Sequence, residues 1–145
     1  MKINILIVYL FLLLFSGCIC EYYFIPTNMS KRQYRRGDEI KTKFFTFDCY
    51  SPHYAKENEL YFSPNLYNAG SKKIKIICVI PFIPKENDTL KYSGEDYNFK
   101  YHGSIKEINR LSLYLQYSFV ENNRRDTISE LYKLKRKRGC KITVH

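Results

Sequence analysis

The sequence contains few of the residues from which catalytic and metal centres are built. It has only three histidines, His53, His102 and His145, and no tryptophan. No carboxylate or cysteine stands near the histidines at metal-ligand spacing, and the chain has neither a nucleophile elbow nor a phosphate-binding glycine loop. These absences predict a non-enzymatic protein without a metal or cofactor. The alternative is a small hydrolase whose catalytic groups meet only in the fold.

Acidic residues are also scarce. The chain has 14 Asp and Glu against 24 Lys and Arg, which gives a formal net charge of +10. Such a surface should attract polyanions, acidic lipid headgroups or acidic proteins. The 14 tyrosines are interpreted as the composition of an AT-rich genome rather than as a platform for a ligand.

The amino terminus carries the pattern of an export signal. Lys2 precedes the apolar run 3–15, and the small residues Ser16, Gly17 and Cys18 follow. Because Cys18 and Cys20 are small residues at the two positions that a signal peptidase inspects, cleavage is expected after Cys20. The prediction is therefore a signal peptide over residues 1–20 and a single secreted or lumenal domain over 21–145. Exported proteins rarely meet nucleic acid, so a nucleic-acid partner is not expected.

Two alternatives to cleavage after Cys20 remain open. The apolar stretch 3–20 is at the lower limit of a membrane span and would then anchor the protein uncleaved. The tetrapeptide 15–18 also resembles a bacterial lipobox, which would place a lipid on Cys18.

Three cysteines follow residue 20, and in an oxidising compartment two of them should pair. Cys49 and Cys78 are the favoured pair because each lies in an apolar, strand-like stretch. Cys140 would then be a free thiol or pair between chains, and it could also be the true partner of either of the others. Two sequons, at Asn28 and Asn87, predict glycosylation in a eukaryotic secretory pathway.

Alternation of apolar and polar residues predicts a mainly β protein, an antiparallel β-sandwich-like domain with one C-terminal α-helix. The strand signals lie at 39–49, 59–62, 72–80 and 97–101, and the clearest alternation covers 111–120. Ser104 and Glu107 have the spacing of a capping box, which predicts one helical turn after Ser104. A second box, Thr127 to Glu130, predicts a helix with Ile128, Leu131 and Leu134 on one stripe and Gly139 as its end.

Basic residues cluster at the end of this predicted helix. The proposed binding residues are Lys133, Lys135, Arg136, Lys137 and Arg138, with Arg35 and Arg36 as a second patch. They suit an acidic protein or a sulfated glycan, and peripheral contact with an anionic membrane is also compatible with them. The same residues could be a solvated helix end or a processing-protease site before Gly139. Residues 36–38 also spell the tripeptide Arg-Gly-Asp of adhesion ligands.

The segment after the signal is similar to a known family. Residues 23–26, Tyr-Phe-Ile-Pro, and 34–40, Tyr-Arg-Arg-Gly-Asp-Glu-Ile, resemble the opening of the lumenal domain of the nonaspanin (transmembrane 9) family, and 44–49 is similar to its aromatic stretch ending in Cys. The resemblance implies a detached lumenal domain of the endomembrane system. The residues alone favour a secreted or lumenal binding protein that presents a basic surface to an acidic partner.

Overall fold

The computed structural model describes residues 16–28, 40–66, 72–93 and 97–144. Over these residues the chain forms β-strands and a 3₁₀ turn at Ile105–Glu107, and no α-helix. The strands are β1 (Ser16–Pro26), β2 (Ile40–Lys41), β3 (Thr46–Ser51), β4 (Glu59–Asn65), β5 (Lys73–Ile83), β6 (Asp88–Thr89), β7 (Lys91–Tyr92), β8 (Asn98–Lys100), β9 (Arg110–Glu121) and β10 (Arg124–Val144).

All of these strands belong to one antiparallel sheet, in the order β6-β5-β9-β10-β1-β3-β4-β8-β7, with β2 paired to β3. The two strands at the ends of this order, β6 and β7, are separated in the sequence only by Leu90. The sheet therefore curls until its ends nearly meet. The predicted antiparallel β architecture is confirmed, but one curled sheet takes the place of a two-layer sandwich.

The core fills the inside of this curled sheet. Aromatic contacts cross it from Phe45 and Tyr117, whose ring centroids are 5.0 Å apart, to Phe62 and Phe99 at 5.3 Å. Leu111, Leu113, Leu115, Tyr117 and Phe119 of β9 are all buried, as their alternation predicted. Burying a side chain of this size stabilises the fold by about 1.5–3 kcal/mol.

The predicted strand over 39–49 is a tight hairpin instead. Its turn is closed by Thr42, whose Oγ1 accepts a hydrogen bond from the Phe45 amide at 3.0 Å, while the Thr42 amide donates to the Phe45 carbonyl at 2.9 Å. The turn directs Phe44 and Phe45 onto β9, where the Phe44 ring lies 4.6 Å from that of Phe119.

The predicted C-terminal helix is wrong, since 124–144 is the long strand β10. Tyr132 is half-buried and Leu134 is fully buried, whereas Leu131 is 57% exposed, so the side chains follow the two-residue period of a strand. Pairing with β9 on one side and β1 on the other outweighs the local capping-box signal. Gly139 lies inside the strand, where an added Cβ would be 3.2 Å from the Tyr23 ring.

A two-residue turn joins β9 to β10. Asn122 and Asn123 both have positive φ, at 51° and 60°. A type I′ turn requires positive φ at both central residues, and asparagine tolerates it better than most residues. This pair sets the register of the hairpin, with Glu121 opposite Arg124. The helical turn predicted after Ser104 is confirmed as the 3₁₀ turn, and the Ser104 side chain caps it by accepting from the Lys106 amide.

The predicted Cys49–Cys78 disulfide is wrong. Cys49 lies on β3 and Cys78 on β5, two strands that are not neighbours in the sheet, and both are free thiols. Instead Cys20 of β1 lies directly opposite Cys140 of β10 and bonds to it, with the α-carbons 4.1 Å apart. Burial raises the pKa of the Cys49 thiol well above its usual value, so it stays protonated.

Candidate binding surface

The β10 strand divides the predicted basic cluster between two faces. Leu134 is fully buried, so Arg136 and Arg138 follow it on the inner side, while Lys133, Lys135 and Lys137 alternate onto the outer side. Lys133 is exposed, and Lys135 and Lys137 are half-exposed. The five cations are close together in the sequence, but the strand places the three lysines on its outer side and the two arginines on its inner side.

Arg110 joins the three outer lysines, although the sequence analysis did not single it out. It is exposed on β9 and lies directly opposite Lys135 in the antiparallel register. Like charges in directly opposed positions repel each other, so this pair concentrates positive charge on the outer side of the sheet. We call Lys133, Lys135, Lys137 and Arg110 the lysine face.

Three tyrosines continue this outer surface across the neighbouring strands. Tyr23 of β1 lies opposite both Lys137 and Tyr50, and Tyr50 of β3 lies opposite Tyr61 of β4. The ring centroids are 6.2 Å apart in both steps, with interplanar angles of 24° and 30°. We call these three residues the tyrosine ladder. Each tyrosine has a buried neighbour along its own strand, namely Phe24, Cys49 and Phe62. Because neighbouring side chains of a strand point to opposite faces, the ladder lies on the outside of the sheet.

Two of the three phenols of the ladder donate hydrogen bonds to carboxylates. Tyr23 donates to Glu21, and Tyr61 donates to Glu59 Oε2 at 3.1 Å. Burial, and then the hydrogen bond to Glu59, raises the pKa of Tyr61, while burial is also the largest cause of the raised pKa of Tyr50. Both phenols therefore stay neutral. From the sequence the tyrosines are interpreted as composition, and only the strand pairing shows three of them side by side.

A cleft of about 290 Å³ lies where the inner side of β10 leaves the core. Its lining residues include Cys20, Tyr22, His53, Lys106 and Arg138. Arg138 Nη2 is 3.2 Å from Cys20 Sγ, and the Arg136 guanidinium stands 5.4 Å from the centre of the Tyr22 ring. Cations therefore line this cleft next to the disulfide.

Some of the cations at this cleft already have partners. Lys106 pairs with Glu57, and the hydrogen bond with that carboxylate raises the pKa of Lys106. Arg136 Nη2 donates to Asn109 Oδ1 at 3.1 Å. The predicted Arg136 is therefore an anchoring residue between strands, and Arg138 is the exposed arginine of this region.

Two of the histidines lie near carboxylates. His53 Nδ1 is 3.9 Å from Glu21 Oε1 beside the cleft, and His102 Nδ1 is 2.9 Å from Asp88 Oδ2. Glu86 joins the second pair, so that ligand atoms of Glu86, Asp88 and His102 lie within 4.8 Å of one another. This group has the donor types that hold a divalent cation. Its members also pair within the protein, since Glu86 Oε2 accepts from the Tyr101 hydroxyl at 2.9 Å.

The remaining predicted site residues are the second basic patch and the two sequon asparagines. Arg35 and Arg36 fall outside the described residues. Asn28 is exposed next to the end of β1, and Asn87 is exposed in a turn with a φ of 52°. Both sequon asparagines are therefore accessible to solvent.

Within the part of the chain that the structure describes, no helix has the length and apolar character needed to cross a membrane. The resemblance to the nonaspanin family and the predicted export signal stay predictions. Comparison of this chain with protein-family models, with curated proteins and with solved structures gives no match.

Proposed function

We propose that this chain is a secreted or lumenal, non-enzymatic binding protein that presents a basic surface to an acidic partner. The observation that supports it is the lysine face lying edge to edge with the tyrosine ladder. Lys135 directly opposite Arg110 places two cations side by side on this surface. A partner with regularly spaced negative charges would neutralise them.

A sulfated glycan is the partner class that fits both halves of this surface. Its sulfate groups would lie on Lys133, Lys135, Lys137 and Arg110, while the apolar faces of its sugar rings would pack on the tyrosine ladder, whose rings are large, side by side and partly exposed. An acidic protein could pair its carboxylates with the cations, but it has no repeating series of rings to pack on the tyrosine ladder. The glycan is therefore preferred over the acidic protein.

The test is binding of heparin, a sulfated glycan, compared with poly-glutamate as a probe for acidic protein. We expect the triple variant Lys133→Gln, Lys135→Gln, Lys137→Gln to bind heparin about tenfold more weakly, equivalent to about 1.4 kcal/mol. Binding by the unaltered protein should weaken from 0.15 M to 1 M salt, because the Debye length shortens from about 8 Å to about 3 Å.

A matched control has the same change in charge elsewhere. Lys73, Lys75 and Lys91 are exposed on β5 and β7, away from the lysine face, and their triple change to glutamine should leave heparin binding within about twofold of the unaltered protein. Equal losses in the two triple variants would show that only the overall charge of +10 matters. Tighter binding of poly-glutamate than of heparin would favour the acidic protein.

A second candidate, a small hydrolase, is favoured by one observation. His53 stands beside Glu21 at a cleft that Ser51 also lines, and a histidine oriented by a carboxylate can act as a general base toward a hydroxyl. The 3.9 Å separation would have to shorten to a hydrogen bond in the working state. Hydrolysis of a simple ester that is lost in His53→Ala would favour this candidate over the binding protein.

A further inference from the structure

The first strand of the fold begins inside the segment that the sequence predicts to be an export signal. β1 covers Ser16–Pro26, and its residues pair one by one with β10, from Ser16 opposite Val144 to Pro26 opposite Leu134. Cleavage after Cys20 would remove the five pairs from Ser16 to Cys20, close to half of this ladder. The predicted cleavage would therefore discard residues that pair in the folded sheet, among them Cys20.

Cys20 is the residue whose loss would matter most. It bonds to Cys140 across the β1–β10 ladder, and Arg138 stands 3.2 Å from its sulfur at the cleft. Without Cys20, the exposed Cys140 would be an unpaired thiol in an oxidising compartment, open to pairing with other chains. A mature chain that keeps Cys20 has one disulfide and two thiols, Cys49 and Cys78, that lie on strands too far apart in the sheet to bond.

We propose that the signal is cleaved after Cys18, so that the mature protein begins at Ile19 and keeps Cys20 for the disulfide. Signal peptidase requires small residues at the first and third positions before the cut, and Cys18 and Ser16 supply them as well as Cys20 and Cys18 do. The local sequence allows both sites. The disulfide distinguishes them, because of the two cuts the one after Cys18 leaves the bonded cysteine in the mature chain.

The proposal consists of two chemical steps. Water hydrolyses the peptide bond between Cys18 and Ile19, which gives a carboxylate on Cys18 and a new amino group on Ile19. The thiols of Cys20 and Cys140 then lose two electrons and two protons to a disulfide-bearing oxidoreductase of the secretory pathway, which is reduced to its dithiol. Because the proposal depends on export, the test must separate a wrong cleavage site from absence of export.

The experiment expresses the full chain in a secreting eukaryotic host and measures the intact mass after removal of glycans. Digestion without reduction then identifies the cross-linked peptides. We expect a chain that starts at Ile19, with the peptides of Cys20 and Cys140 linked and two thiols, Cys49 and Cys78, that react with an alkylating agent once the protein is denatured without reduction. A secreted chain that starts at Glu21 would overturn the cleavage site and leave export intact. A lipid on Cys18 would likewise overturn the cleavage site, and a retained Met1 would overturn both.

Two variants of equal charge sharpen the assignment. Ser16→Arg places a large charged residue at the third position before the proposed cut, and should abolish the start at Ile19. Cys20→Arg blocks the alternative cut instead and should leave the start at Ile19 unchanged. The reverse pattern would overturn the proposal. Cleavage occurs during translocation, before the sheet forms, so the amino terminus can be read even if the Cys20 variant folds poorly.

Discussion

At the scale of single residues, burial decides which side chains can change their charge. Tyr117 is fully buried at the centre of the core, against the ring of Phe45. Burial, reinforced by the Glu130 carboxylate, raises its pKa from 10.0 to about 12. Tyr132 lies near the same carboxylate, and burial is again the largest cause of its raised pKa. The core therefore contains phenols that resist ionisation.

These shifts predict the response to alkali. Because the folded pKa of Tyr117 lies above the unfolded one, its contribution to stability is complete below pH 10 and is lost as the pH rises from 10.0 to about 12. We expect the free energy of unfolding to fall over this range, and to fall less steeply in Tyr117→Phe. Urea denaturation at several pH values measures both slopes. At pH 7 the two proteins should differ by less than about 1 kcal/mol, since the ring is kept. Parallel slopes would contradict this role.

At the scale of elements, β10 is the strand on which the main features of the molecule depend. It is the shared neighbour of β9 and β1, it contains one half of the disulfide, and it separates the lysine face from the arginines of the cleft. Its sequence fits two periods at once. Ile128, Leu131 and Leu134 match a helical stripe, whereas Ile128, Tyr132 and Leu134 match the inner face of a strand.

The strand predicts very different effects at two leucines that a helix would bury alike. Leu134→Ala should lower the free energy of unfolding by about 2–5 kcal/mol, because Leu134 is fully buried. Leu131→Ala should change it by no more than about 0.5 kcal/mol, because that side chain is 57% exposed. Denaturant unfolding of both variants measures the difference. Similar losses at the two positions would contradict the register of β10.

At the scale of the whole molecule, the chain closes on itself in two ways. The ends of the sheet approach each other at Leu90, which connects β6 to β7. The disulfide joins Cys20 to Cys140, residues separated by 120 positions. In the chain-entropy model, closing a loop of this size stabilises a fold by about 4–5 kcal/mol. Closure also leaves few unpaired strand edges, which protects a small β protein from association through its edges.

The proposed binding surface exists only at this scale. The members Lys137, Tyr23, Tyr50 and Tyr61 come from four different strands, and each is ordinary in its own segment. The net charge of +10 predicts an affinity for anions but does not say which cations act together. The sheet order selects Lys133, Lys135, Lys137 and Arg110 and excludes Arg136, which is engaged with Asn109.

The sequence alone determined the elements whose signals are local and strong. The alternation over 111–120 and 72–80 specified β9 and β5, because successive side chains of a strand point to opposite faces and the pattern continues over many residues. Ser104 specified its 3₁₀ turn, since capping needs only neighbouring backbone groups. Composition indicated a basic, mainly β chain.

Only the tertiary structure decided the features that depend on which strands are neighbours. The disulfide partner of Cys140, the strand conformation of β10 and the row of tyrosines all follow from pairing between β1 and β10 and between β1, β3 and β4. Hydrogen bonds between distant segments replace the local helical bonds that the Thr127 capping box favours, and burial of Tyr132 and Leu134 outweighs the loss of that cap. Such long-range pairing energies are absent from any short window of sequence, and they decide here which residues meet.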